Sequence, residues 1–184
     1  LPKGDVGRIG LALSPANPDI LYAVVELPGS KGGFYRSTDL GESWEKRSNK
    51  VSSSPQYYNE VYADPLNQDR VILMDTRNGL SDDGGETWES IEGRNKHVDN
   101  HAMWINPNDT NHYIMGCDGG LYETYDRGET WQVQSNLPIS QYYHVRTDND
   151  FPFYNVYGGT QDNGSWFGPH QTHRRNLVNA DWTY

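Results

Sequence analysis

Short apolar runs separated by turn-forming residues fill the whole chain. Gly, Pro, Asn and Asp recur so often that the longest stretch free of all four is the nine residues of Ile139–Thr147. An average helix has about 11–12 residues, so the spacing of these helix breakers argues against helices. The apolar runs are short and rich in strand-forming residues: Ile9–Leu13, Ile20–Glu26, Val71–Met74, His112–Met115 and Tyr154–Tyr157. We therefore predict an all-β protein.

A motif of the form Ser/Thr-x-Asp-x-Gly-x-Ser/Thr-Trp occurs three times. It spans Ser37–Trp44, Ser81–Trp88 and Thr124–Trp131, so it returns after 44 and then 43 residues. Asp and Ser/Thr side chains hydrogen-bond neighbouring backbone amides and hold a tight turn, and the Gly supplies a positive φ. The Trp that follows begins the next strand and buries a large ring.

A second, Pro/Asn/Asp-rich turn lies upstream of each copy of this motif, in Ser14–Asp19, Asp64–Asp69 and Asn106–Asp109. Two motifs in the same order at a constant period indicate a repeated unit. Each unit has room for four antiparallel strands, A to D, with the Pro/Asn/Asp turn between A and B and the Asp motif between C and D. Four strands every 40–45 residues or so are typical of a β-propeller blade.

The Ser/Thr-x-Asp-x-Gly unit is identified as an Asp-box, and the chain resembles the BNR/Asp-box β-propellers. These include sialidases, sortilin-type receptors and xyloglucan-degrading enzymes. The resemblance covers residues 1–166 and implies a propeller of four-stranded antiparallel blades. In these families the box is structural, so the three copies specify the fold and leave the function open.

We expect four blades, over residues 1–50, 51–93, 94–136 and 137–184. The fourth is degenerate, because Thr160–Trp166 only echoes the box and is alternatively the B–C turn of that blade. Propellers have about 4–8 blades and close into a ring that hides their edges. The tail His170–Tyr184 contains no clear completing strand pair. We therefore expect part of a larger ring, closed by another chain or by the rest of a larger propeller; a closed four-bladed ring is the alternative.

Charge and composition exclude several classes of partner and site. The 15 basic and 25 acidic residues give a net charge of −10, which argues against binding the phosphate backbone of nucleic acid. No apolar run approaches the ~20 residues that a membrane span needs. The single cysteine, Cys117, excludes an internal disulfide and a multi-cysteine zinc site.

The alternation of strands divides the loops between two faces. The A–B turns and the Asp-boxes share one face, the box face, which we interpret as structural. The B–C turns and the D-to-A crossings share the other, the ligand face, where function in such scaffolds resides. The residues that we expect to bind a ligand on this face are Tyr58, Arg77, His97, His101, Tyr143, His144 and Gln161.

The segment His97–His101 has the pattern His-x-Asp-x-His, with Asp99 at its centre. In an extended strand all three side chains point to one side, and two imidazoles with a carboxylate are plausible ligands for zinc or another divalent ion. Three ligands on an extended strand span about 13 Å, too far for one ion without a bend. A divalent metal, contacts to a non-metal ligand and ordinary loop hydrogen bonds are therefore all open, and the sequence specifies no cofactor.

Paired carboxylates are the second candidate chemistry. Glycosidases use two carboxyl groups ~5–5.5 Å apart when they retain and ~6.5–9.5 Å apart when they invert configuration. The carboxylates that we place on the ligand face are Asp75, Asp99, Asp118 and Asp162, which are the candidate catalytic residues. In a chain with 25 acidic residues, two carboxylates can lie close together by chance. Whether the chain is an enzyme therefore stays open.

Two functions fit these expectations. The first is a carbohydrate-binding or glycoside hydrolase-like propeller, extracellular or periplasmic, in which flat tyrosine rings on the ligand face contact a glycan. The alternative is a non-enzymatic propeller of the sortilin or assembly-factor type, which holds a protein or peptide at the same face.

Overall fold

Strands supply nearly all the regular structure of the protein. The computed structural model describes residues 1–135, 142–160, 164–174 and 176–184. Within these ranges the only helical segments are two 3₁₀ turns, Gly29–Lys31 and Asn179–Asp181. The prediction of an all-β protein is confirmed.

The described residues contain fifteen strands, and all are two to six residues long because Gly, Pro, Asn and Asp interrupt the apolar runs. In chain order they are β1 Ile9–Leu13, β2 Leu21–Val25, β3 Gly33–Ser37, β4 Glu45–Ser48, β5 Glu60–Ala63, β6 Val71–Met74, β7 Gly79–Ser81, β8 Glu89–Ser90, β9 Asn100–Ile105, β10 Tyr113–Cys117, β11 Gly120–Thr124, β12 Gln132–Val133, β13 Tyr142–Thr147, β14 Asn155–Thr160 and β15 Ser165–Pro169.

The strands form antiparallel meanders in which each strand pairs with the next. Three sheets have four strands, β1 to β4, β5 to β8 and β9 to β12, and a fourth sheet has β13 to β15. This is the arrangement predicted for blades, with the Asp-box between the third and fourth strands of each four-stranded sheet. The chain divides into two compact units, Leu1–Ser135 with the first three sheets and Asn136–Tyr184 with the fourth.

Apolar side chains on both faces of β6 hold the first unit together. Successive side chains of a strand point to opposite faces, so Val71 and Leu73 join one core layer and Ile72 and Met74 join another. The first layer packs β6 against Tyr22, Val24 and Phe34 of the first sheet, and the second packs it against Met103, Tyr113 and Met115 of the third. All four residues of β6 are buried.

The Asp-boxes form the turns that the motif predicts. In the first box the Ser37 hydroxyl donates to Asp39 at 2.7 Å and accepts the Gly41 amide at 2.8 Å. Asp39 also accepts the backbone amide of Ser43 at 2.9 Å. Hydrogen bonds from Ser43 hold the pKa of Asp39 at about 2. The same bonds recur in the boxes of Asp83 and Asp126.

The tail contacts the fourth sheet at one residue. Thr183 forms an antiparallel bridge with Phe167 of β15, through two backbone hydrogen bonds of 2.9 and 2.8 Å. The ring of Trp166 meets that of Tyr184 edge to face at 4.8 Å. This isolated bridge docks the tail on the last strand and adds no further strand among the described residues.

The segment that echoes the Asp-box also has a defined place in the fourth sheet. It connects β14 to β15, the second and third strands of that sheet. Thr160–Trp166 therefore occupies the B–C position, which was the alternative interpretation. Residues 161–163 lie outside the described residues.

We expect Gly85→Ala to destabilise the protein more than Gly120→Ala. Both glycines have positive φ, +95° and +113°, but a Cβ at Gly85 would lie 2.2 Å from Phe34, whereas a Cβ at Gly120 meets nothing within 4 Å. Both substitutions strain the backbone, but only Gly85→Ala forces a Cβ into a neighbouring side chain. The free energies of unfolding of the two variants should therefore differ by about 1–3 kcal/mol. Urea denaturation of the two variants measures it; equal losses would contradict the packing of the second box against the first sheet.

We expect the unfolding temperature to fall as the pH drops from about 4 to about 2. The pKa values of Asp39, Asp83 and Asp126 are about 2 in the folded protein, below the ordinary value of 3.8. As the pH falls, these carboxylates therefore take up protons in the unfolded chain at a higher pH than in the folded protein. The stability that the boxes contribute above pH 4 is lost over this range. Thermal melts of the wild type and Asp39→Asn measure this; the amide introduced by the substitution cannot titrate, so the variant's loss over this range should be smaller.

Candidate functional site

Three connections of the ligand face meet at one place in the first unit. The Asp118 amide, in the turn between β10 and β11, donates to the Asp99 carbonyl at 3.1 Å. The Asp99 amide, in the crossing between β8 and β9, donates to the carbonyl of Thr76 at 2.9 Å, in the turn between β6 and β7. These backbone bonds bring together loops that are distant in sequence.

Side chains from these loops form a small surface group, which we call the Tyr–His cluster: Tyr57, Tyr58, Asp99, His101 and Asp118. His101 Nε2 lies 2.8 Å from Asp118 Oδ1, and the Tyr58 hydroxyl donates to Asp99 at 3.0 Å. The His101 ring stacks on Tyr58 at 6.0 Å between centroids and meets Tyr57 edge-on at 5.7 Å. The cluster thus combines aromatic faces, an imidazole and two carboxylates.

The two tyrosines of the cluster have different roles. Tyr58 was expected to bind the ligand, but it exposes only 7% of its surface and belongs to the core layer around Ile72. Burial raises the pKa of Tyr58. Tyr57 is 61% exposed and presents its ring to solvent. Because the two residues are adjacent, one had to face inward, and the sequence did not indicate which.

The His-x-Asp-x-His segment is bent rather than extended. Asp99 adopts a φ of +61° just before β9 begins at Asn100. His97 is exposed and packs against Gly119, where a Cβ would lie 2.3 Å from the His97 side chain. His101 turns instead to Asp118. Within the described residues no group of three or more His, Cys, Asp and Glu is placed to hold a metal ion.

The candidate carboxylates separate into distinct environments. Asp99 and Asp118 belong to the Tyr–His cluster. Asp75 is 5% exposed, and its carboxylate accepts the amide and hydroxyl of Ser53 at 2.8 and 2.5 Å and the amide of Thr76 at 2.7 Å. Asp75 therefore holds the crossing between the first two sheets in place. Asp162 lies outside the described residues.

The remaining residues predicted to bind a ligand are Arg77, Tyr143, His144 and Gln161. Arg77 is exposed in the turn between β6 and β7. Tyr143 and His144 are exposed on β13 of the second unit, where His144 lines a cavity of about 310 Å³ with Tyr157 and Phe167. Gln161 lies outside the described residues.

A buried polar network behind the cluster was not found from the sequence. Lys96 has a fully buried side chain, and its ammonium donates to Glu92 at 2.7 Å, to the His97 carbonyl at 2.9 Å and to the Asn100 side chain. Glu92 accepts the Asn78 amide at 2.5 Å and Asn100 Nδ2 at 3.0 Å. The network ties the His97–His101 segment to the second sheet.

No signal in the sequence distinguishes this network from an exposed loop. Glu92 and Lys96 are separated by Gly93, Arg94 and Asn95, a polar run of the kind that turns contain. The burial arises from the ring of Trp131, whose centroid lies 5.5 Å from the Lys96 ammonium. That contact depends on how the third sheet packs on the second, which local patterns do not specify.

Comparison with known proteins agrees with the fold. The BNR/Asp-box repeat model matches residues 80–90, which include the second box. Over 150 residues the chain is 26% identical to an oligoxyloglucan-reducing end-specific xyloglucanase of Emericella nidulans, covering 73% of this chain and 18% of that protein. Over 94 residues it is 31% identical to vacuolar protein sorting/targeting protein 10 of Aspergillus fumigatus, covering 47% of this chain and 6% of that protein.

A solved structure supports the same architecture. The GH74 enzyme of Niastella koreensis superimposes with a TM-score of 0.57 and 18% identity, over 95% of this chain and 29% of that one. This chain therefore spans less than a third of each of these relatives. No helix among the described residues is long and apolar enough to cross a bilayer.

We expect Lys96→Met to lower the free energy of unfolding by about 3–5 kcal/mol, because it leaves the buried Glu92 carboxylate without its cation. The double variant Glu92→Gln/Lys96→Met removes both charges and should recover part of that loss. Urea denaturation in a double-mutant cycle measures the coupling. A double variant as unstable as the sum of both single variants would show that the pair is not coupled.

Proposed function

We propose, from the premise that this chain is an Asp-box β-propeller protein, that its ligand face binds carbohydrate at the Tyr–His cluster. One observation carries the proposal: the exposed ring of Tyr57 lies beside the His101–Asp118 pair at the point where three loops meet. A sugar ring has an apolar face and a hydroxyl rim, and this cluster offers a partner for each.

The chemistry of the cluster suits a neutral glycan. The Tyr57 ring provides a flat contact surface with little rotamer entropy to lose. His101 Nε2 faces the Asp118 carboxylate, so the tautomer inferred from this bond carries its proton on Nε2 and leaves Nδ1 as an acceptor for a hydroxyl. The carboxylates of Asp99 and Asp118 accept hydrogen bonds from further hydroxyls.

Similarity to a xyloglucanase over most of the chain supports a glycan as the ligand. If the protein hydrolyses its ligand, the acid and base roles fall to Asp99 and Asp118, the two predicted carboxylates within the cluster. A polysaccharide ligand also places the protein in an extracellular or periplasmic compartment.

We also propose that further blades complete the ring. Ile9, Leu11 and Leu13 alternate along one face of β1 and are 41%, 61% and 64% exposed. Gly10, on the opposite face, packs so closely on the Asn59 carbonyl that a Cβ would lie 1.8 Å from it. The first sheet therefore packs on the second with one face and leaves an apolar face on the other side, which suits another blade.

A protein ligand is the second candidate. The match to a vacuolar sorting protein has the higher identity, 31%, although over fewer residues. Aromatic and polar side chains in one patch also suit a peptide. Under this alternative the same face binds a polypeptide and releases no sugar.

We expect the protein to bind neutral xyloglucan oligosaccharides, and Tyr57→Ala and His101→Ala each to weaken that binding by about tenfold, the loss of roughly 1.4 kcal/mol of contact energy. Isothermal titration measures the affinity, and a reducing-sugar assay reports any hydrolysis. Tyr125→Ala is the matched control, because Tyr125 is 57% exposed but lies within the third Asp-box, on the box face.

The control should bind as the wild type does, and thermal melts of all three variants should show folded protein. Absence of glycan binding by the folded wild type overturns the proposal and favours a protein ligand. Binding that survives both Tyr57→Ala and His101→Ala would place the glycan elsewhere.

A further inference from the structure

A second cavity lies on the ligand face of the first unit, on the side of the first sheet. Its volume is about 370 Å³, and it is lined by residues from three connections: Asp5 and Gly7 before β1, Glu26, Leu27 and Pro28 after β2, and Val51 and Pro55 in the crossing to β5. We call it the acidic cavity. Its volume is at the small end of ligand pockets, which suits one side chain rather than a large ligand.

The acidic cavity is lined by two carboxylates, those of Asp5 and Glu26. Among the described residues neither Asp5 nor Glu26 forms an ion pair. Glu26 Oε2 accepts the backbone amide of Arg8 at 2.9 Å. A backbone amide orients the carboxylate without neutralising it, so the cavity keeps a negative charge.

The Arg8 guanidinium is engaged by groups other than these two carboxylates. Arg8 donates to the carbonyls of Tyr57 and Gln56 at 2.9 and 3.3 Å and pairs with Glu60 at 3.2 Å. Its charge is therefore already matched by Glu60. The carboxylates of Asp5 and Glu26 are therefore available to bind a cation from another molecule.

The walls of the cavity add a second requirement. Leu27, Val51 and Pro55 are half-buried and apolar, so an occupant must carry methylene groups as well as a charge. Lys and Arg side chains lay their aliphatic stems along apolar surface and place the charge at the tip. A guanidinium also forms paired hydrogen bonds with carboxylates, which an ammonium does not.

We propose that the acidic cavity captures an arginine side chain of a partner polypeptide. Glu26 and Asp5 bind the guanidinium, and Leu27, Val51 and Pro55 enclose its stem. Pro55 is two residues from Tyr57, in the turn closed by the bond from the Tyr57 amide to the Ser54 carbonyl at 2.9 Å. The exposed Tyr57 ring is therefore close enough to contact the residues that flank the arginine.

This inference goes beyond the glycan proposal, and the charged residues on which it rests are different. It uses the side chains of Asp5 and Glu26, and glycan binding at His101 does not require them. The two proposals can therefore fail independently.

The test uses two blocked peptides, Gly-Gly-Arg-Gly-Gly and the same peptide with citrulline in place of arginine. Citrulline has nearly the same shape and no charge. NMR titration of the full chain follows the Arg8 amide, since this group donates to Glu26 and its resonance reports what happens at that carboxylate. We expect the arginine peptide to shift this resonance and the citrulline peptide to bind about tenfold more weakly or not at all, as loss of a charged hydrogen bond implies.

The variants are Glu26→Gln and Asp5→Asn, each expected to weaken binding of the arginine peptide by about tenfold. The side-chain carbonyl introduced by Glu26→Gln can still accept the Arg8 amide, so the fold should persist, as a thermal melt would check. Asp19→Asn is the matched control, because Asp19 is an exposed acid in the A–B turn on the box face. Asp19→Asn removes one negative charge, as Glu26→Gln and Asp5→Asn each do, and it should leave binding of the arginine peptide unchanged.

Several outcomes would overturn the proposal. These are no binding of the arginine peptide, equal affinity for both peptides, or full affinity in both Glu26→Gln and Asp5→Asn. A neutral xyloglucan oligosaccharide that shifts the Arg8 amide more than the arginine peptide does would assign the cavity to the glycan instead.

Discussion

Burial of both faces of β6 is the constraint on which the rest of the first unit depends. Its four apolar residues divide between two core layers, and each layer joins the second sheet to a neighbour. Because neither layer forms without the other sheets, the three sheets stabilise one another. The loops at their ends are consequently fixed relative to one another, and this allows residues as distant in sequence as Tyr57 and His101 to meet.

The two ends of these sheets are stabilised by different chemistry. On the box face, hydrogen bonds within each Asp-box are local, so each turn is defined by its own eight residues. On the ligand face the loops are held by longer-range bonds, such as those of Ser53 to Asp75 and of Asn78 to Glu92. Loss of a hydrogen bond within one box should therefore disturb mainly that turn, whereas loss of one of these longer-range bonds moves the Tyr–His cluster.

This difference explains what could be predicted from the sequence. The predicted strands Ile9–Leu13 and Val71–Met74 match β1 and β6, because turn chemistry and apolar runs act over a few residues. The single bridge at Thr183 and the buried Lys96 could not be predicted, since both depend on contacts between segments that lie far apart or pair only once. For the candidate site, the sequence predicted that these loops share one face of the sheets. It did not predict that the Tyr58 side chain points into the core.

The distribution of charge gives the ligand face its chemical preference. On the box face, Arg36 pairs with Asp69 at 2.6 Å, Arg47 with Glu86 at 2.5 Å and Arg127 with Asp82 at 3.5 Å. Each pair joins adjacent sheets, so the positive charge serves to align blades. The net charge is −10, and within the described ranges the ligand-face carboxylates Asp5 and Glu26 form no ion pair. A face with this surplus repels phosphates and other anions and favours neutral hydroxyl-rich or cationic ligands, which is the range of chemistry that both the Tyr–His cluster and the acidic cavity accommodate.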